Sequence, residues 1–166
     1  MDVVSLPHPV LSRKMKPVSA ADLKAGVFSS LLDEMRASMS AHNGIGLAAN
    51  QVGEDLALFI IDPKLAAEYG VGEVFANPEI TEYAPETDEM EEGCLSIPGY
   101  WVTVNRSKKI MFKALNANGE KVKFRARGML ARVLQHETDH LNGLTIRNRV
   151  EKRKSRRAER SGTGRD

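Results

Sequence analysis

Residues Gln135 to Gly143, Gln-His-Glu-Thr-Asp-His-Leu-Asn-Gly, restrict the fold more than any other stretch of the 166-residue chain. On an α-helix His136 and His140 lie one turn apart, so both imidazoles leave the same face and can reach one metal ion. Glu137 follows the first imidazole directly. It stands beside such an ion rather than on it, where a carboxylate can take a proton from water. Upstream, Met129, Leu130, Val133 and Leu134 recur at helical spacing and continue through Leu141, which predicts one buried stripe. Gly128 precedes the stripe. Gly143 follows it, able to take the left-handed conformation that ends a helix, with Leu144 beyond as a hydrophobic contact. A buried central helix is expected, and its metal set is incomplete. Catalytic zinc-type centres take three protein ligands and keep one position open, so the third must come from elsewhere.

The length suits one domain with a sizeable core. No apolar run is long enough to cross a bilayer, and Met1 to Pro7 has neither a secretory nor a transit-peptide pattern, so a cytoplasmic protein with no membrane partner is expected. Cys94 is the only cysteine, which rules out an intramolecular disulfide and suits a reducing compartment. The net charge of +2 hides an asymmetry: from Arg147 to Asp166 there are nine Lys/Arg against three Asp/Glu, leaving the rest of the chain mildly acidic. Residues 147–166 therefore read as a basic C-terminal tail, helical and then disordered, after a single domain over 1–146.

Taken in order, residues 1–18 form an irregular, proline-containing arm in which Val10 and Leu11 can pack on the body and His8 is a surface residue. Ser19 with Asp22 resembles a capping box and opens a helix running to about His42, with Leu23, Val27, Leu31, Met35 and Met39 on one face. His42 near its end suits a contact with the helix dipole. In Asn43 to Gly53 the small residues let the backbone approach a ligand, although a structural turn accounts for them equally well. Gln51 is the more telling residue there, because a side-chain amide beside a metal can donate to a developing oxyanion. Leu56 to Ile61 reads as a buried strand, and Glu73 to Tyr83 as a second, broken near Asn77-Pro78. The acidic run from Glu86 to Glu91 suits a solvated loop or edge, whereas Glu92 is better explained as the partner of a cation, Arg106. Trp101 to Asn105, Lys108 to Leu115 and Glu120 to Ala126 read as strands whose lysines mark a solvated face, with Trp101 as a packing residue.

Three stretches read together carry a family resemblance. Gly44-Ile45-Gly46-Leu47-Ala48-Ala49-Asn50-Gln51, Glu92-Gly93-Cys94-Leu95-Ser96-Ile97-Pro98 and Gln135 to Gly143 resemble, in order and spacing, the three signature motifs of peptide deformylase in its compact bacterial form. The resemblance implies that Cys94 joins His136 and His140 as a thiolate ligand, leaving one tetrahedral position for water. It also implies Fe(II) as the metal, with zinc, nickel or cobalt as substitutes. The implied reaction removes the formyl group from the N-terminal formyl-methionine of nascent polypeptides and releases formate. Glu137 would be the general base, and Gln51 with the Leu95 backbone N–H would hold the oxyanion.

A substrate peptide would lie between Gly44, Ile45, Gly46 and Leu47 on one side and the strand around Gly93 and Cys94 on the other. Ile45, Met129 and Val133 would line the methionine pocket. The stretch Gly99-Tyr100-Trp101 departs from the polar or basic group that many members carry there, so the resemblance implies no preference beyond methionine. Two rivals stand beside this reading. A general metallopeptidase would cleave unformylated peptides, and a catalytically silent ribosome-associated homologue would have lost Glu137, Gln51 or a ligand. The basic tail is expected to touch ribosomal RNA, unless it is merely solvated. The fold expected is α+β, with antiparallel strands packed around the helix that carries His136 and His140.

Overall fold

The computed structural model describes residues 1–150. Strands β1 (Gly46–Ala48), β2 (Leu58–Ile61) and β3 (Val74–Tyr83) join a later pair, β6 (Lys109–Leu115) and β7 (Lys121–Arg127). Together they make an antiparallel sheet in the order β1-β2-β3-β6-β7. Strands β4 (Thr87–Cys94) and β5 (Ile97–Ser107) form a separate hairpin. Helices α1 (Ala20–Lys24), α2 (Ser29–Ala41), α3 (Pro63–Tyr69) and α4 (Gly128–Leu141) complete the α+β arrangement.

The uninterrupted apolar run of β2 follows from where it sits. All four of its residues are buried. Because successive side chains leave opposite faces of a strand, Phe59 and Ile61 enter the core beneath α4 while Leu58 and Ile60 enter a second core against α2. Rings from three strands close the first core: Phe75 meets Phe112 edge-on with centroids 5.3 Å apart, and Phe59 lies 5.4 Å from Phe75. α4 lies on this core through Leu130, Val133, Leu134 and Leu141. It ends at Gly143, whose φ is +72°, and a Cβ there would stand 2.6 Å from the backbone nitrogen of Arg13. That glycine lets the arm pass directly over the end of the helix.

Two elements differ from expectation. The helix expected from Ser19 to His42 is two helices, because Gly26 takes φ +72° and stops the first. The ladder of apolar residues had included Val27, which is 62% exposed at the break, while Leu32 is buried instead. Helix α3 was not anticipated. Its signals were present: Asp62 caps the amides of Lys64 and Leu65 at 2.9 and 3.1 Å, Pro63 opens the first turn and Gly70 closes it. β3 does bend at Asn77, where φ is +48° and the register with β6 shifts; the Asn77 side chain pairs both ways with the Val18 backbone at 2.8 Å.

The arm holds a short 3-10 turn with Val10 and Leu11 buried, as expected. Residues 146–150 are helical, and the rest of the helix and the disorder expected for the tail fall on residues outside those described. Among the described residues no helix is long and apolar enough to cross a membrane.

Phe112 is fully buried at the centre of the ring cluster. Phe112→Ala is expected to lower the unfolding free energy by about 3–5 kcal/mol in urea titrations; a change under about 1 kcal/mol would contradict this account of the core.

Candidate metal centre

Cys94 closes β4, and His136 and His140 stand one turn apart on α4. The Cys94 sulfur lies 3.2 Å from His140 Nε2, which lies 3.2 Å from His136 Nε2. This is the one group of its kind among the described residues, its ligand atoms all within 4.8 Å of one another. Three such donors this close need either shared protons or one metal ion between them. Two imidazole nitrogens bound tetrahedrally at the usual length to one ion would be about 3.3 Å apart, so the spacing found suits a metal. Two nitrogens and a sulfur form a borderline-soft set that accepts several divalent transition ions.

A buried ionic cluster orients the ligands. His136 Nδ1 meets Glu92 Oε2 at 2.9 Å, which turns its Nε2 toward Cys94 and His140. Glu92 receives the Arg106 guanidinium through two bonds, at 2.6 and 2.9 Å, and Arg132 at 2.7 Å. Arg106 also donates to Asp139 at 2.9 Å, and Arg149 clasps the same carboxylate. The Glu92–Arg106 pair is the one the sequence suggested. Arg132, Asp139 and Arg149 were not anticipated as its partners, and Arg149 fell in the stretch expected to be tail.

Charge follows from these contacts. Burial opposes ionisation of Glu92, but hydrogen bonds from His136 and Arg106 outweigh it and hold its carboxyl far below the usual range. Burial likewise opposes a charge on His136, yet Cys94, Glu92 and Glu137 together push it up to about 10. His140 goes the other way, well below its ordinary value, because burial and the charges on His136 and Arg106 all disfavour a proton. Its Nδ1 is buried without a hydrogen-bond partner among the described residues.

Glu137 sits inside the cleft wall, with Oε2 buried and unpaired among the described residues. Burial is the main cause that pushes its carboxyl up to about 7, against the pull of His136 and Arg106. The other carboxylate oxygen occupies the space a Cβ on Gly46 would need, so the glycine at this point of β1 is a packing requirement. Gln51 lies in a buried 3-10 turn, Ala49–Val52. Its oxygen accepts the Ala48 N–H at 2.9 Å, which leaves the NH2 end directed at Cys94 Sγ (3.6 Å) and Ser96 Oγ (3.3 Å).

The cleft above these groups has a volume of about 570 Å³. Gly44, Ile45 and Gly46 line it from one side, Gly93 and Leu95 from the other, and Met129 and Val133 from α4. Leu47 does not line it: its side chain is fully buried in the core against α2, because alternation in β1 turns it away. Trp101, expected to pack inside, is 65% exposed and lines the cleft.

Known proteins resemble this chain in sequence and in fold. The family model described as polypeptide deformylase matches residues 1–156. A peptide deformylase of Mesorhizobium japonicum is 41% identical over 152 residues, covering 92% of this chain and 85% of the relative. The crystal structure of the Thermotoga maritima peptide deformylase superposes with a TM-score of 0.79 at 40% identity, covering 89% of this chain and 95% of that one. A class I type b peptide deformylase from Acinetobacter baumannii with Met-Ala-Ser bound superposes at 0.80 with 35% identity, covering 90% and 97%.

A proton and a metal compete for the same lone pair on His136. Because that proton is held up to about pH 10, metal uptake at pH 7 is expected to release at least about one proton per ion and to strengthen as pH rises toward 10. Calorimetry in buffers of differing ionisation enthalpy measures the release; uptake with none, and affinity flat from pH 6 to 9, would contradict the assignment.

Proposed function

The chain belongs to the polypeptide deformylase family and is an amide hydrolase that removes the formyl group from the N-terminal methionine of newly synthesised polypeptides; we propose how its residues divide that work. Cys94, His136 and His140 hold one divalent ion, Fe(II) by resemblance to the family, with zinc, nickel or cobalt able to replace it. Bound there, the ion supplies Lewis-acid polarisation of the formyl oxygen and of water.

Glu137 is the general base and then the general acid. Its carboxylate accepts the proton of the attacking water and returns it to the nitrogen as the C–N bond breaks, giving formate and a free amine. The observation that carries this role is a buried carboxyl with an oxygen unpaired among the described residues and a proton affinity raised to about 7, in the same cleft as the ligand set. Gln51 and the Leu95 N–H donate to the oxygen as it becomes an oxyanion. The hydrogen bond from Ala48 to Gln51 supports the role, because the amide then keeps its donor end toward the site without reorganising.

The substrate peptide lies extended between Gly44, Ile45, Gly46 and the Leu47 backbone on one side and Gly93 on the other. Ile45, Met129 and Val133 receive the methionine. The Met-Ala-Ser peptide in the Acinetobacter baumannii structure supports this, being a chain with N-terminal methionine held by a relative of this fold. Retention of Glu137, Gln51 and the three ligands argues against a silent ribosome-associated homologue. The catalytic domain covers residues 1–146 and runs on to Arg149, which clasps Asp139 of the buried cluster. The basic residues beyond Arg149 attract ribosomal RNA in the cytoplasm, where newly synthesised chains emerge.

The test is formate release from a formyl-methionine peptide by anaerobically purified, Fe(II)-reconstituted protein. Glu137→Gln is expected to lower kcat at least about 100-fold, and Gln51→Ala by about 100- to 1000-fold, at unchanged metal content. The base works deprotonated, so activity rises with pH through its pKa. Burial raises that value above the ordinary carboxylate range, so the acidic limb lies at higher pH than a solvated glutamate would give, and Glu137→Gln removes it. Full turnover by Glu137→Gln would contradict the assignment.

A further inference from the structure

Trp101 does not fit the strand it belongs to. Along β5 the residues sharing its face, Thr103 and Asn105, are polar and exposed, while Val104 and Arg106 point inward and are buried. An indole with 65% of its surface open is out of place on such a face. It is also not alone: Ile45, Met90 and Met129 are exposed apolar residues that line the same cleft. Clustered exposed apolar surface around one opening marks a binding surface more than chance does.

The indole is held in place by an absence. Trp101 pairs directly with Gly93 across the β4–β5 hairpin, and a Cβ at Gly93 would stand 2.9–3.0 Å from three of its ring atoms. The ring therefore covers the glycine, and it reaches the cleft because no side chain on β4 intervenes. β4 pairs only with β5 among the described residues, so its other edge faces the cleft.

Resting on the deformylase reading above, we propose that Trp101 sets a preference for the second residue of the substrate, favouring apolar and above all aromatic side chains. A peptide added along β4 alternates its side chains between the two faces. With methionine turned inward to Met129 and Val133, the next side chain turns outward, onto the face where Gly93 leaves the indole bare. In a sheet such lateral neighbours on one face interact, and aromatic pairs most strongly. The contact forms on binding and is not made to the reacting atoms, so its effect falls on KM and not on kcat.

The experiment compares formyl-Met-Phe-Ala with formyl-Met-Gly-Ala on the reconstituted enzyme. The expected result is a kcat/KM ratio of roughly 3 to 10 in favour of phenylalanine, carried by KM, falling to near 1 in Trp101→Ala and largely restored in Trp101→Phe. Trp101 is the only tryptophan, so intrinsic fluorescence gives a direct second readout. The product peptide Met-Phe-Ala should shift the emission to the blue, and Met-Gly-Ala should not. A ratio near 1 in the wild type, a ratio kept in Trp101→Ala, or identical emission with both peptides would overturn the proposal. Absence of turnover on either peptide would instead overturn the hydrolase reading, and this inference with it.

Discussion

A sulfur and two imidazole nitrogens 3.2 Å apart in series can be held together by shared protons or by one metal ion, and the whole molecule is arranged to impose that crowding. Two of the donors come from one helix, where the spacing of His136 and His140 is set by the helical repeat alone. The third comes from a different layer. Cys94 must be delivered by the β4–β5 hairpin, which belongs to neither core cluster through its outer residues and pairs with no strand of the main sheet.

What ties the hairpin to α4 is charge. Glu92 on β4, Arg106 on β5, and Arg132 and Asp139 on α4 meet in a buried cluster, and each carboxylate is satisfied by more than one guanidinium nitrogen. Apolar contacts would hold the two layers together but would tolerate sliding. Paired guanidinium and carboxylate groups have fixed directions, and a buried charge left without its partner costs about 3–5 kcal/mol. The cluster therefore fixes the height of β4 on α4, and with it the position of Cys94 two residues beyond Glu92. Arg149 extends the same cluster to the start of the C-terminal segment through Asp139.

Much of this was legible in the sequence where the signal is local. The α4 stripe, the ligand spacing and the capping glycine each depend on neighbours within a turn or two. The continuous apolar run of β2 betrayed a strand covered on both faces. The Glu92–Arg106 pair could be guessed from a buried-looking acid beside Gly93. Misreadings came where the outcome depends on a distant partner or on one backbone angle. Gly26 ends α1, although the apolar ladder runs through it in register. Trp101 looked like core by composition, and only its pairing with Gly93 leaves it on the open face. Arg132, Asp139 and Arg149 carry no sequence signal of their own, because a buried arginine resembles a surface one until its carboxylates are placed.

We propose that Cys94, His136 and His140 together would hold a single metal ion. Titration of the metal-free protein with Co(II), followed by absorption, addresses it most directly. The account predicts saturation at one ion per chain, intense visible bands of tetrahedral cobalt, and a near-ultraviolet thiolate-to-metal band that Cys94→Ser abolishes. Weak octahedral bands with no thiolate transition, or a spectrum indifferent to Cys94→Ser, would contradict it.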